Sequence, residues 1–414
     1  MHFQGILGLA VLTLAAWAIS ENRREVNFGG VAAGIALQFV IALLLFNVPL
    51  FKQIFLFLNS FVLALDDATK AGTSFVFGYL GGGPAPFIEN NRSAGFILAF
   101  QALPLVLVVG ALSALFFYWR ILPFIVRMFS LFFQKSLNIG GALSLGASTT
   151  IFLGMVESPL LIKPYLTEMT RSEIFTLMTV GLASIAGTVM VLYATFLNGI
   201  VPDALGHILI ASLIHVPAAI TISRMIVPET GVQTAGMLAP RATASSSMDA
   251  ITKGTIDALG LLINIIAMLV VAVALVSLVN RGLSLLPEIG GRAVTMQLLL
   301  GYIMAPVAWL FGIPWQEAQT AGYLMGVKTI INELLAFIDL SQLPQGALSP
   351  RSRLIMTYAL CSFANFGSLG ILIGGLGSLV PERRTEIVSL GMKSLLAGTL
   401  ATCMTGAVVS LLII

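Results

Sequence analysis

Apolar runs long enough to cross a bilayer recur along nearly the whole chain, and they restrict what it can fold into more than any other feature. A helix needs about 20 apolar residues to span the hydrocarbon core. Eight stretches qualify: 3–19, 29–48, 95–117, 173–197, 205–226, 254–280, 354–380 and 388–413. Of the 414 residues 58% are hydrophobic and 9% charged, against about 25% charged in an ordinary soluble domain. Such a chain cannot cover a water-facing surface, so the expected fold is an all-α membrane protein with a lipid bilayer as its solvent. The net charge of +3 argues against a nucleic-acid partner. Cys361 and Cys403 both lie inside apolar runs, which speaks against a disulfide framework. The N-terminal stretch carries an Ala-Trp-Ala step like a cleavage site but no basic leader, and reads as a retained first helix.

Between the spans, residues 49–94 begin as an amphipathic, interfacial helix and end in a Gly-Pro-rich external loop. The most polar linker is 230–253, a boundary between halves. With the N-terminus outside, the inner loops hold 13 of the 21 basic residues, with Arg351 and Arg353 as the main dissenters. Counted this way, the positive-inside rule predicts both termini outside, in a multi-pass protein of the cell inner (plasma) membrane.

Two apolar regions do not read as simple spans. Residues 137–166 and 293–340 are interrupted, the first by "GMVESPLLIKP", the second by "FGIPWQEAQ" and "TIINELLAF". Their pieces are too short to cross and return as full helices. Re-entrant hairpins solve this, provided that their exposed backbone lines a protein-walled cavity. Each hairpin is followed by a glycine- and serine-interrupted span, "GLASIAGTVM" or "CSFANFGSLG", and then by a second span. Hairpin, broken span, span, repeated from the opposite side, is the pattern of an inverted-repeat carrier.

In the first hairpin Ser158 is placed to cap a half-helix and Pro159 to open it, with Glu157 at the tip. A helix starting at mid-membrane offers unsatisfied N–H groups to a ligand. Glu157 could instead cap that helix or neutralise Lys163. The second hairpin repeats the carboxylate as Glu333, beside Asn332, although a charge at the bilayer centre costs about 2.5–3.5 kcal/mol on insertion scales. Asn365 and Ser368, three residues apart in the second broken span, share a helix face. Two carboxylates, an amide and a hydroxyl suit a neutral, polyhydroxylated ligand. Phe363 serves either helix packing or as a wall for a planar ring. Ser184 and Thr188 either back-bond within their helix or help to coordinate an ion. Lys328 snorkels or pairs locally. The three histidines have no metal or catalytic spacing, and Trp315 beside Pro314 reads as a hinge or interface anchor.

These residues resemble the concentrative nucleoside transporters. The similarity runs from "GASTTIFLGMVESPLLIKPYL" through "ASIAGTVM", "GYIMAPVAWLFGIPW" and "MGVKTIINELLAF" to "TYALCSFANFGSLGILIGGL" and the final helix, nearly the whole chain. The resemblance implies a homotrimer whose protomer has eight transmembrane helices, two re-entrant hairpins in inverted repeats and interfacial helices. A mobile domain would carry the site by an elevator movement. It divides the chain into N-terminal scaffold helices (1–136), a first repeat (137–230), a linker with a long scaffold helix at the trimer core (231–292) and a second repeat (293–414). Carried over by residue, ribose contacts fall on Glu333, Asn365 and Ser368. Base contacts fall on Met155, Val156 and Glu157, with Val189 and Phe363 as apolar walls. A sodium site falls on Thr150, Leu153, Val156, Ser184 and Thr188.

The chain departs from the family at the first tip, where Gly-Met-Val-Glu stands for the common Gly-Gln-Ser/Thr-Glu. Met155 and Val156 cannot hydrogen-bond a base edge, so a relaxed or altered base preference is expected. Thr150 replaces an asparagine often found at the ion site. Proton coupling through Glu157 or Glu333 is therefore the rival to sodium coupling. The implied activity is ion-coupled nucleoside symport, with no cofactor besides the coupling ion. An intramembrane enzyme would want a paired Asp or a Ser/His arrangement, and neither is present. A carrier of another small polyhydroxylated solute and a passive channel are the remaining alternatives.

Overall fold

The computed structural model describes residues 2–86, 96–155, 157–236, 244–288 and 293–413. Val156, Arg241 and the end of the Gly-Pro-rich loop, 87–95, lie outside the described residues. Among the described residues all regular structure is helical. The N-terminal part comprises α1 (His2–Ala18), α2 (Phe28–Asn47), the long α3 (Pro49–Phe77), the single turn α4 (Leu98–Gln101), α5 (Leu105–Tyr118) and α6 (Ile121–Leu137). The first hairpin is α7 (Gly141–Thr149) and α8 (Glu157–Leu161), followed by a broken span, α9 (Arg171–Ala183) and α10 (Gly187–Phe196), and by α11 (Ala204–Ile226). The 37-residue α12 (Ser247–Leu283) comes next. At 1.5 Å per residue it is about 55 Å long, more than a bilayer is thick. Then come α13 (Met296–Leu310), the second hairpin α14 (Trp315–Ile330) and α15 (Glu333–Gln342), a second broken span α16 (Pro350–Leu360) and α17 (Phe366–Leu379), and α18 (Arg384–Leu412).

Local chemistry sets these boundaries. Asn27, Ser246, Thr295 and Ser349 each accept a backbone N–H in the first turn of α2, α12, α13 and α16. Thr170 and Glu173 form a reciprocal capping box at α9. Among the described residues six helices are able, by length and composition, to cross a membrane: α2, α4–α5, α9–α10, α11, α12 and the helix ending at Leu412. The 17-residue α1 is shorter, and the expected span 354–380 is the broken pair α16–α17.

The order helix, hairpin, broken span, span occurs twice, as α6 to α11 and as α13 to α18. α6 packs on α7 as α13 packs on α14. Arg127 and Lys135, counted from sequence with the inner loops, thus lie within α6. The closing spans α11 and α18 pack against each other at the centre, where most of their residues are buried. Small residues permit close approach: a β-carbon on Gly322 of α14 would overlap the Gly301 carbonyl and the Ala305 amide of α13.

Charges collect at the two ends of α18. Near its start, Glu21 accepts from Arg171 (2.9 Å) and Lys393 (2.7 Å), and Glu386 pairs with Arg383 at 2.7 Å. The Arg171 guanidinium, with Lys393 beside it, holds the Glu21 carboxyl down to about 2. At the far end Arg351 donates to the carbonyls of Gly312 and Ser410, and Arg353 to those of Leu340 and Pro344. These two arginines, the dissenters in the charge count, are committed to helix-end carbonyls.

Candidate functional site

Four helices begin part-way through the protein: α8 at Glu157, α10 at Gly187, α15 at Glu333 and α17 at Phe366. Their first turns border one cavity of about 850 Å³, within the size range of small-molecule sites. Each start leaves backbone N–H groups without helical acceptors, so the cavity receives several partial positive ends. Among the described residues every position expected to touch substrate lines this cavity: Met155, Glu157, Val189, Glu333, Phe363, Asn365 and Ser368.

The polar centre is built on Glu333, which is 5% exposed. Its Oε2 accepts from Asn365 Nδ2 at 2.8 Å and its Oε1 from the Tyr193 hydroxyl at 2.6 Å. Tyr193 is itself stacked on Phe337, 4.8 Å between ring centres. A carboxylate has about four acceptor positions, so acceptor capacity remains for a ligand. Asn365 lines the cavity together with Ser368, but it stands just before the helix and not within it, as the spacing had suggested it would. It is the cap of α17, its Oδ1 accepting the Ser368 N–H at 2.7 Å. Asn332 caps α15 in the same way, through Leu335 N–H at 3.0 Å. One asparagine therefore starts a half-helix and braces the carboxylate of the facing hairpin.

The first tip differs from expectation. α8 already includes Glu157, so Ser158 is its second residue and not its cap. The Ser158 hydroxyl instead crosses the hairpin to the Gly146 carbonyl at 2.6 Å. Among the described residues Glu157 forms no ion pair, with Lys163 or any other cation. It stands exposed beside Gly154. Lys328 does not snorkel: it is fully buried and donates to the Ala359 carbonyl and to Thr402.

Of the residues expected to hold an ion, Thr150 donates to Gly146 O at 2.8 Å, with its oxygen 3.0 Å from that of Ser158. The hairpin reaches the first break through the Phe152 carbonyl, which accepts Gly187 N–H at 3.0 Å, and not through Leu153. Ser184 and Thr188 do not back-bond in their helix. Among the described residues both hydroxyls are buried without a hydrogen-bond partner. An orphaned pair of hard oxygens at an unwound turn fits a cation of the sodium type. The two breaks are also joined directly, Phe363 N–H donating to Ser184 O at 3.1 Å.

Sequence reasoning missed Tyr193, which lies one helical turn after Val189 and so on the same face. It also missed Asp257 and Asn264 of α12, which line the cavity as well. Their seven-residue spacing, which puts both on one face of a mostly apolar helix, was the available signal.

Comparison with known proteins agrees with this geometry. Residues 7–80 and 207–410 match the family profiles described as Na+ dependent nucleoside transporter N-terminus and C-terminus. Residues 99–199 match a profile described as nucleoside recognition. The chain is 33% identical to a nucleoside permease, NupC, of Helicobacter pylori, over 99% of this chain and 97% of that protein. The chain belongs to the concentrative nucleoside transporter family. It is 30% identical to the rat sodium/nucleoside cotransporter 2 over 96% of this chain and 62% of that longer protein. Among solved structures it is similar to CNTnw in an inward-facing, substrate-bound state, with TM-score 0.89, 31% identity and 99% and 98% of the two chains covered. A CNTnw double variant in an outward-facing state is equally similar, at TM-score 0.90, 31% identity and 99% and 97% coverage. The family consists of transporters, not enzymes.

Proposed function

We propose that this protein is a symporter that imports nucleosides, driven by a cation gradient, through alternating exposure of the cavity between its two hairpins. The observation that carries the reading is the Glu333–Asn365–Tyr193 cluster at the meeting point of half-helix starts. It is a preorganised set of acceptors and donors for ribose hydroxyls inside a mostly apolar cavity. In this reading Glu333, Asn365 and Ser368 hold the ribose. The base lies against Met155, Val156 and Glu157, between Val189 and Phe363. Because Met155 offers a thioether, uridine and adenosine are expected to enter at similar rates.

Sodium is the coupling ion that the orphaned Ser184 and Thr188 hydroxyls favour, with Thr150, Leu153 and Val156 completing its surroundings from the hairpin. A proton is the second reading, favoured by the unpaired Glu157 at the tip. The exposed apolar face of α12 supports a homotrimer with that helix at its core. The cluster of Arg171, Arg383 and Lys393 supports placing that end of α18 in the cytoplasm and both termini outside, in the inner membrane. The domain division fits a scaffold of the N-terminal helices with α12 and a moving unit made of the two repeats, shifting as an elevator.

The test is uptake of labelled uridine into vesicles holding the purified protein. Accumulation against its gradient, driven by imposed sodium or protons, is the expected result, and it identifies the ion. Equilibration that ignores both gradients would sink the symport reading.

A further inference from the structure

Each broken span presents the same electrostatic problem. Its first half-helix, α9 or α16, ends inside the protein with carbonyls that lack N–H partners and carry a partial negative charge. In the second repeat a side chain answers it. Lys328, on the arm α14 of the second hairpin, is fully buried, and its ammonium donates to the Ala359 carbonyl in the last turn of α16 at 2.7 Å. It also reaches Thr402 Oγ1 of α18 at 3.3 Å, while Thr402 donates onward to the Thr399 carbonyl. Among the described residues it forms no ion pair. The positive charge is held by a helix end and a hydroxyl, the kind of oxygen ligands a monovalent cation would use.

In the first repeat that charge is missing. With the two hairpins aligned on their glutamates, Lys328 lies five residues before Glu333, and the residue five before Glu157 is Phe152. Phe152 contributes a backbone carbonyl to the break, not a cation. The hydroxyls of Ser184 and Thr188 there are buried and unpartnered. One break is closed by a covalently attached cation, and the other keeps oxygens for a cation from solution.

We propose that Lys328 is a tethered cation that fills, in the second repeat, the place an exchangeable cation takes in the first, so that the protein couples through one exchangeable ion site. Lys328 is thereby a positioning residue: it locks α14, the broken span and α18 together and sets the ion stoichiometry without touching substrate. The proposal rests on the symport reading given above.

The test compares wild type with Lys328→Ser and Lys328→Met in vesicles, reading the charges moved per uridine from the membrane potential that just balances an imposed gradient. Wild type is expected to move one charge per uridine. Lys328→Ser leaves a hole between the Ala359 carbonyl and Thr402, and is expected to move two in sodium. Its thermal midpoint should fall in choline and recover with added sodium. Lys328→Met, with no oxygen to offer, should lose the same stability in choline without that recovery. Two charges per uridine in wild type would overturn the proposal, even if neither variant folds. So would a Lys328→Ser protein that still moves one charge, or a Lys328→Met protein with wild-type stability in choline. Failure of the symport reading looks different, because wild type would then show no gradient-driven uptake.

Discussion

Replacing Glu333 by glutamine keeps the shape of the side chain and removes its charge, and the surrounding geometry fixes how the new amide must sit. Asn365 cannot turn its own amide round, because its Oδ1 holds the Ser368 N–H at 2.7 Å. The introduced amide is thus left with one orientation: oxygen toward Asn365, NH2 toward Tyr193, whose hydroxyl must accept where it now donates. Hydrogen bonds to a charged group contribute about 1.5–3 kcal/mol and neutral ones about 0.5–1.5, so each bond made to the lost charge weakens by about 1 kcal/mol. Two ribose hydroxyls on Glu333 then cost about 2 kcal/mol, a roughly 30-fold rise in Kd. The fold should survive, because the desolvation cost of a buried carboxylate disappears with its charge. Calorimetric uridine binding to purified Glu333→Gln, with thermal unfolding as the control, measures both. A folded variant that binds within threefold of wild type would refute the assignment of Glu333 to the ribose.

Other perturbations have equally definite outcomes. Asn365→Ala removes a helix cap worth about 1 kcal/mol and a donor to Glu333, and should lower uridine uptake at least tenfold at equal amounts of folded protein. Tyr193→Phe strips one buried hydrogen bond from Glu333, a loss of about 1–3 kcal/mol, which should appear as a lower thermal midpoint together with weaker uridine binding. Gly322→Ala forces α13 and α14 apart, and such overpacking costs about 1–3 kcal/mol; the yield of assembled protein and its midpoint should both fall. Glu21→Gln tests the ion cluster through pH. Because the folded carboxyl is held down to about 2, below its ordinary 4.5, its stabilisation is complete above about 4.5 and disappears as pH falls toward 2. The midpoint difference between wild type and Glu21→Gln should be constant from pH 5 to 8 and shrink below that window. Surface pairs contribute at most about 1 kcal/mol each, so the difference should be small throughout.

Much of the site was legible in the sequence because burying charge in lipid is expensive. Glu157, Glu333 and Asn365 stood out against apolar surroundings, and each lines the cavity. The hairpins were legible because their pieces are too short to span. What stayed hidden depends on direction, which spacing alone does not give. Ser158 followed by proline has the composition of a cap, but the turn begins at Glu157 and the hydroxyl crosses to Gly146. Asn365 and Ser368 have the separation of face neighbours and of a cap with its third residue, and the second arrangement prevails. Tyr193 was hidden because a tyrosine in an apolar helix is ordinary until its hydroxyl is seen on Glu333. α6 was missed because its basic residues resembled a loop, whereas Val126, Ser130 and Phe133 form one buried stripe.

The account depends on ribose hydroxyls meeting the Glu333–Asn365 pair between the two hairpins. The most direct measurement is an experimental structure of the protein with uridine bound. The account expects the ribose within hydrogen-bond distance of Glu333 and Asn365, with the base beside Met155 and Phe363. Uridine bound elsewhere, with the Glu333–Asn365 contact intact and the cavity holding only water, would contradict it.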